Sequence, residues 1–186
     1  KNDELEPIAT HNSNPLLLSA TNLMNESDNL SAELFVKSIG ALDTLPGTWK
    51  VGLDSIKSFL AKKVLIDTSN IRLADGSGVS RYNLTSAAQL NSLLKWMYNS
   101  KYKDDFILTL PGGGWENSTL EKRLVDEGDL VRAKTGGLSG VRNLAGYIKS
   151  KKYGDVAFSI LMNGYTDYSS RYARVHDQIV KSIIYD

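Results

Sequence analysis

"DLVRAKTGGLSGVRNLAGYI" occupies Asp129–Ile148, and its reading decides the fold. Residues 129–135 alternate as a half-buried strand does, a glycine-rich turn follows, and a second strand candidate runs over 141–149. The turn needs Gly137 or Gly140, but nothing about turning a chain calls for Lys134-Thr135-Gly136. An ammonium beside a hydroxyl is suited to gripping a carboxylate through charge-assisted hydrogen bonds. A glycine directly after them lets another backbone approach the strand edge without meeting a Cβ. An exposed lysine, a β-favouring threonine and a turn glycine form the plainer alternative, and three residues alone do not decide between them.

Working outward, a third strand candidate spans 156–163, where Val156, Phe158, Ile160 and Met162 alternate with smaller residues. Connections this short make the three strands an antiparallel meander, which an amphipathic helix must cover on one face. The C-terminal stretch from Asp167 supplies that helix, with Tyr172, Val175, Ile179 and Ile183 on one side. "KSKKY" at 149–153 reads as a solvated hairpin tip.

Upstream, 14–42 is helical on both sides of a polar break, "NESDN" at 25–29; after it Leu30, Leu34, Phe35 and Ile39 form an apolar stripe that Gly40 stops. Residues 48–63 give another helix with Val51, Ile56, Phe59 and Leu60 inward, and 64–83 reads as a strand followed by a long Gly/Ser loop. The clearest helix is 85–100, capped by Thr85 or Ser86, with Leu90, Leu93, Leu94 and Met97 at i, i+3, i+4, i+7. "LPGGGWENSTLEKRLV" (110–125) begins as a glycine loop and ends in a short helix capped by Ser118 or Thr119. The class is α+β: an antiparallel sheet covered by a C-terminal helix, with a second layer of helices from the first half.

At 186 residues and 41% hydrophobic, the chain can bury a real core as one soluble domain or slightly more. A net charge of +1 with scattered lysines leaves no basic footprint for nucleic acid. There is no cysteine for disulfide or thiolate chemistry, and His11 and His176 are too few for a histidine metal cluster. "VAFSILM" at 156–162 is the longest apolar run, far short of the roughly 20 residues a membrane span takes. No signal peptide is evident, and the chain opens on Lys1, as a processed or partial product would.

Ser27-Asp28-Asn29 lies just before a helix, and all three are preferred N-cap residues. Its co-occurrence with Lys134-Thr135-Gly136 changes that reading, because S-D-N and K-T-G accompany S-x-x-K where a serine is acylated. Four stretches, "NPLLLSATNLMNESDNLSAELFVKSIGA", "ADGSGVSRYNLTSAAQL", "LPGGGWENSTLEKRL" and "VRAKTGGLSGVRNLAGYI", occur in that order. Together they resemble the later half of class C low-molecular-mass penicillin-binding proteins, the D-alanyl-D-alanine carboxypeptidase/endopeptidases. The resemblance runs from about Asn12 to the final helix and implies that residues 1–186 are one partial penicillin-binding domain.

An S-x-x-K string occurs at Ser92-Leu93-Leu94-Lys95. It follows Ser27, whereas in the family the nucleophile precedes S-x-N, and the apolar stripe of its helix turns Ser92 outward. The resemblance therefore implies that the nucleophile lies upstream, in the other half of the domain, beyond an accessory insertion. It assigns proton relay to Ser27 and Lys134, and substrate-amide contact to Asn29. Carboxylate binding falls to Thr135 with Lys134, with Gly136 beside them, and an oxyanion-hole N–H to Gly137. Asp75 and Ser77 of "DGSG" brace the site or line it. The implied partners are peptidoglycan stem peptides ending in D-Ala-D-Ala and β-lactam antibiotics, with no metal or organic cofactor and an extracytoplasmic location. A non-catalytic relative that binds or scaffolds cell-wall peptide is the alternative. Asn117 stands where an aspartate is more usual in such relatives, and His176 reads as a packing or surface residue with no triad around it.

Overall fold

A computed structural model describes residues 8–186. Six helices are described: α1 (Leu16–Glu26), α2 (Asn29–Ala41), α3 (Trp49–Lys62), α4 (Ala87–Tyr98), α5 (Lys103–Thr109) and α6 (Ser169–Tyr185). Strands β1 (Val131–Leu138), β2 (Val141–Ser150) and β3 (Gly154–Asn163) form an antiparallel sheet of order β1-β2-β3. The expected α+β architecture is what forms. Ser139 and Gly140 close the first hairpin, Gly140 at φ +72°, so Gly137 stays inside β1 opposite Arg142. The second hairpin turns through Lys151-Lys152-Tyr153, whose exposed tip is held by the Ser150 hydroxyl accepting the amides of Lys152 and Tyr153.

Register and pleat divide the strand residues between two faces. Val131, Ala133, Leu144, Ile148 and Phe158 lie beneath α6 and join Leu120, Leu124, Val180 and Ile184 in the main core. The opposite face carries Lys134, Ala145, Tyr147 and Ala157; there Leu94, Leu110, Met24, Tyr98 and Phe106 pack around Tyr147, whose hydroxyl donates to the Leu94 carbonyl. α4 begins with a capping box between Ser86 and Gln89, which settles the Thr85-or-Ser86 choice. It is fastened to β3 by Ser159, whose hydroxyl bonds the Ala87 carbonyl and the Asn91 amide oxygen.

Several expectations are corrected. The inward stripe of α6 is Ala173, His176, Val180 and Ile184, one position round from the expected Tyr172, Val175, Ile179 and Ile183. A fully buried histidine at its centre made the true stripe look polar. In α2, Leu30 and Leu34 face outward, and Val36 and Gly40 are the buried residues. No regular strand follows Val64: Leu65 takes φ +61°, and pairing is limited to one bridge between Arg72 and Leu84. The apolar residues there instead fill a small cluster of Val64, Ile66 and Ile71 with Leu60, Leu93 and Trp96. The short helix expected before Val125 is a run of turns, with Asn117 and Leu124 both left-handed and a 3-10 turn at Gly128–Leu130. Asparagine tolerates that conformation better than most residues.

Candidate active site

α1 ends and α2 begins within two residues. Ser27 adopts φ 60°, ψ 48°, a left-handed C-cap whose N–H returns to the Leu23 carbonyl, and Asp28 then caps α2 by accepting the amides of Leu30 and Ser31. Capping therefore falls to Asp28, and the Ser31 hydroxyl helps to hold its carboxyl below the usual carboxylate range. The Ser27 hydroxyl is left free to point elsewhere. With Met24 anchored in the cluster that also contains Ala145, this junction sits over the strand position where Lys134 pairs with Ala145. The Lys134 ammonium donates to the Ser27 Oγ at 2.7 Å, although 107 positions separate the two residues.

Lys134 also donates to the carbonyl of Thr135 at 3.1 Å, and among the described residues it has no carboxylate partner. Burial lowers its pKa to about 8 from the usual lysine value of 10.5. A lysine brought this close to neutrality exchanges a proton with a neighbouring hydroxyl far more readily than a solvated one.

β1 is an edge strand. Its Ala133 N–H turns outward, away from β2, to the Pro111 carbonyl at 3.1 Å. Alternate residues of an antiparallel strand present their amides to the same side, so Thr135 and Gly137 also face outward. Beyond Pro111–Gly112 no described strand pairs with this edge. Gly136 is half-buried; a Cβ there would meet Asn143 only at an ordinary 3.5 Å, so the chain's own packing does not demand glycine. Asn29 is the first residue of α2, exposed, and without a side-chain hydrogen bond among the described residues. Thus Ser27, Lys134 and the outward edge at Thr135–Gly137 come together, with Asn29 two residues from Ser27.

Asp75 and Ser77 are placed differently. Asp75 accepts the amides of Gly78 and Ser80 and the Asn83 side chain, so it braces its own loop. The Ser77 amide donates to Glu33 on α2 at 2.9 Å, as does that of Gly76 at 3.2 Å. Burial pushes the Glu33 carboxyl up, but the Ser77, Gly76 and Trp49 donors outweigh it and leave the group below the usual carboxylate range. A Cβ on Gly76 would stand 2.8 Å from the Ala32 carbonyl oxygen, so only glycine lets the loop lie this close on α2. Glu33 was not singled out in the sequence; its signal was an acid between the outward leucines of α2. The loop also reaches the first hairpin, where Arg81 donates to the Ser139 carbonyl.

The 111–120 loop lies beside the same junction, its Thr119 N–H donating to the Asn25 carbonyl. Ser92 is exposed on α4 and its hydroxyl bonds back to the Ala88 carbonyl, as its outward position on that helix requires. Two cavities flank the site. One of about 420 Å³ is lined by Gly137–Gly140, Arg142 and Tyr165, and one of about 500 Å³ lies between Glu26 and the 117–121 turn.

This arrangement of sheet and helices is that of penicillin-binding proteins. Over 92% of the chain it superposes on 42% of penicillin-binding protein 4 (dacB) from Haemophilus influenzae, solved with a bound β-lactam, at TM-score 0.82 and 28% identity. The chain belongs to the D-Ala-D-Ala carboxypeptidase 3 (S13) family, whose model matches residues 1–182. It is 36% identical over 170 residues to a D-alanyl-D-alanine carboxypeptidase of Actinomadura sp. (strain R39), covering 88% of this chain and 31% of that protein. It is 32% identical to the D-alanyl-D-alanine carboxypeptidase DacB of Haemophilus influenzae, over 86% of this chain and 34% of DacB. The chain thus spans about a third of the length of these relatives. Among the described residues no helix is long and apolar enough to cross a membrane.

Proposed function

We propose that these 186 residues are part of one penicillin-binding domain of an extracytoplasmic serine D-Ala-D-Ala carboxypeptidase/endopeptidase acting on peptidoglycan stem peptides, and that β-lactams acylate the same site. The observation that carries this reading is the 2.7 Å hydrogen bond between Lys134 and Ser27, set beside an unpaired strand edge. The serine nucleophile and its lysine come from a segment outside this chain: both S-x-x-K serines here follow Ser27 in sequence, Ser92 being exposed on α4 and bonded back to Ala88, and Ser100 lying in the turn after α4 with its hydroxyl on the Met97 carbonyl.

In the assembled site the serine oxygen attacks the carbonyl carbon of the penultimate D-alanine, and its proton passes to the neighbouring lysine. The outward N–H of Gly137 stabilises the oxyanion together with the nucleophile's own N–H. When the C–N bond breaks, a proton reaches the departing amine through Lys134 and Ser27, which are already hydrogen-bonded. Lys134 and Thr135 hold the terminal carboxylate, Asn29 the substrate amide, and Gly136 leaves space for the peptide backbone. Water then cleaves the acyl ester, restoring the serine. No step requires a metal or an organic cofactor.

A fluorescent penicillin tests this directly. The expected result is no covalent label on the 186-residue chain and a stable adduct on the chain produced with its upstream sequence. A longer chain that stays unlabelled would overturn the catalytic reading in favour of a non-catalytic module that binds cell-wall peptide.

A further inference from the structure

Three arginines are half-buried, and two of them have carboxylate partners: Arg123 with Asp177 at 2.7 Å and Arg132 with Asp129 at 3.2 Å. The third, Arg142, makes no side-chain hydrogen bond or ion pair among the described residues, and its Nε is buried without a partner. A guanidinium taken out of water without an anion is costly, so its place in the fold matters.

Arg142 pairs in register with Gly137, so both lie on the α6 side of the sheet, as does Thr135 two residues along β1. A Cβ built on Gly137 would stand 3.0 Å from the Arg142 Nη1, which puts the guanidinium in the space a side chain at 137 would take. Residues two apart on one strand face are separated by roughly 7 Å, a gap one carboxylate bridges by hydrogen bonds at both ends. The same guanidinium lines the cavity that opens beside Gly137. Lys134 reaches the edge from the opposite face, as its bond to the Thr135 carbonyl shows.

We propose that Arg142 holds the terminal carboxylate of the substrate, reaching over Gly137 from β2 to complete, with the Thr135 hydroxyl, a grip that Lys134 closes from the other face. This rests on the active-site reading above and adds a specificity-determining residue to it. A carboxylate between two cations accounts for a guanidinium left without an internal partner. It also fits a glycine at 137, where a Cβ would press on the Arg142 head at 3.0 Å.

The test uses the longer, penicillin-reactive chain and two probes: benzylpenicillin, and its methyl ester, in which the carboxylate is masked. The readout is the ratio of their acylation rates, which does not depend on the fraction of protein that is folded. In the unaltered protein the acid reacts faster than the ester. Arg142→Gln is expected to slow the acid by roughly tenfold to a hundredfold, the usual effect of losing a hydrogen bond to a charged group, while leaving the ester unchanged. Arg142→Lys keeps the charge but not the fork, and falls between; it also serves if the glutamine variant does not fold. An acid-to-ester ratio unchanged in both variants, whether or not the absolute rates fall, shows a merely structural arginine and overturns the proposal. Labelling by neither probe in the unaltered longer chain is the distinct failure of the active-site reading itself.

Discussion

On one face of the sheet Val131, Ala133, Leu144 and Ile148 lie under Val180 and Ile184 of α6, each exposed by 1% or less, whereas in the α1–α2 layer Leu16, Leu30 and Leu34 are more than half exposed. The first layer is complete within the chain. The second presents aliphatic side chains that nothing described covers, together with the unpaired edge of β1. Apolar surface and open strand edges side by side usually mark a place where another piece of protein packs. In the reading proposed above, that piece is the preceding part of the same domain. The Ser27–Lys134 contact lies where the two layers meet: its lysine rides on the closed sheet, its serine on the open helical layer.

The same substitution made in each layer tests this contrast most severely. Leu144→Ala opens a cavity in a core that cannot collapse round it and is expected to cost about 2–5 kcal/mol. Leu34→Ala, in the chain alone, is expected to change stability by less than about 0.5 kcal/mol. Urea unfolding of the two variants measures both, and similar losses would mean that the helical layer is already sealed.

A second contrast lies within the closed layer. His176 is fully buried, and neither ring nitrogen has a partner among the described residues. Burial, with help from the nearby Arg123 and Arg142 charges, lowers its pKa from 6.5 to about 4. Between those values the unfolded chain binds a proton that the folded chain refuses, so stability falls as pH drops through the window and is recovered above about pH 6.5. The full effect is on the order of 3 kcal/mol at pH 4. His176→Gln removes the titration, and its stability difference between pH 7 and pH 4 should be smaller than the original's by about 2–3 kcal/mol. Equal pH dependence in the two proteins would show that the ring is solvated.

Legibility followed the same division. The β1–β3 meander was readable because alternation and two short turns leave little topological freedom. The α6 stripe was misplaced because a histidine stands where hydrophobicity predicts an aliphatic residue. The Ser27–Lys134 meeting was legible only through the paired triplets and their family resemblance; no local rule joins residues 107 apart. Glu33 and Arg142 were missed for a related reason. Each acts on a backbone distant in sequence or on a neighbouring strand, and single-residue chemistry does not report register. Periodicity groups Leu30 and Leu34 into one apolar stripe without saying whether this chain supplies its cover.

Glu33 offers the finest test of how the open layer reaches the site. Its carboxylate collects the amides of Gly76 and Ser77 and the Trp49 indole N–H, so one side chain fastens the 75–80 loop to α2 and α3. Asp75 organises that loop internally and would survive loss of Glu33. Glu33→Ala should therefore release a folded loop rather than melt it, at a cost of about 1–2 kcal/mol for the orphaned donors, moderated because water replaces some of the lost bonds. Hydrogen exchange separates the two possibilities. The Gly76 and Ser77 amides should lose protection while those of Gly78 and Ser80, bound to Asp75, keep it. Because Arg81 ties the same loop to Ser139, the Ser139–Gly140 turn should loosen slightly as well, which carries the disturbance from the open layer to the hairpin beside Gly137. Loss of protection at all four amides together would instead mean that Asp75 cannot hold the loop without α2, and that the helical layer shapes this side of the site.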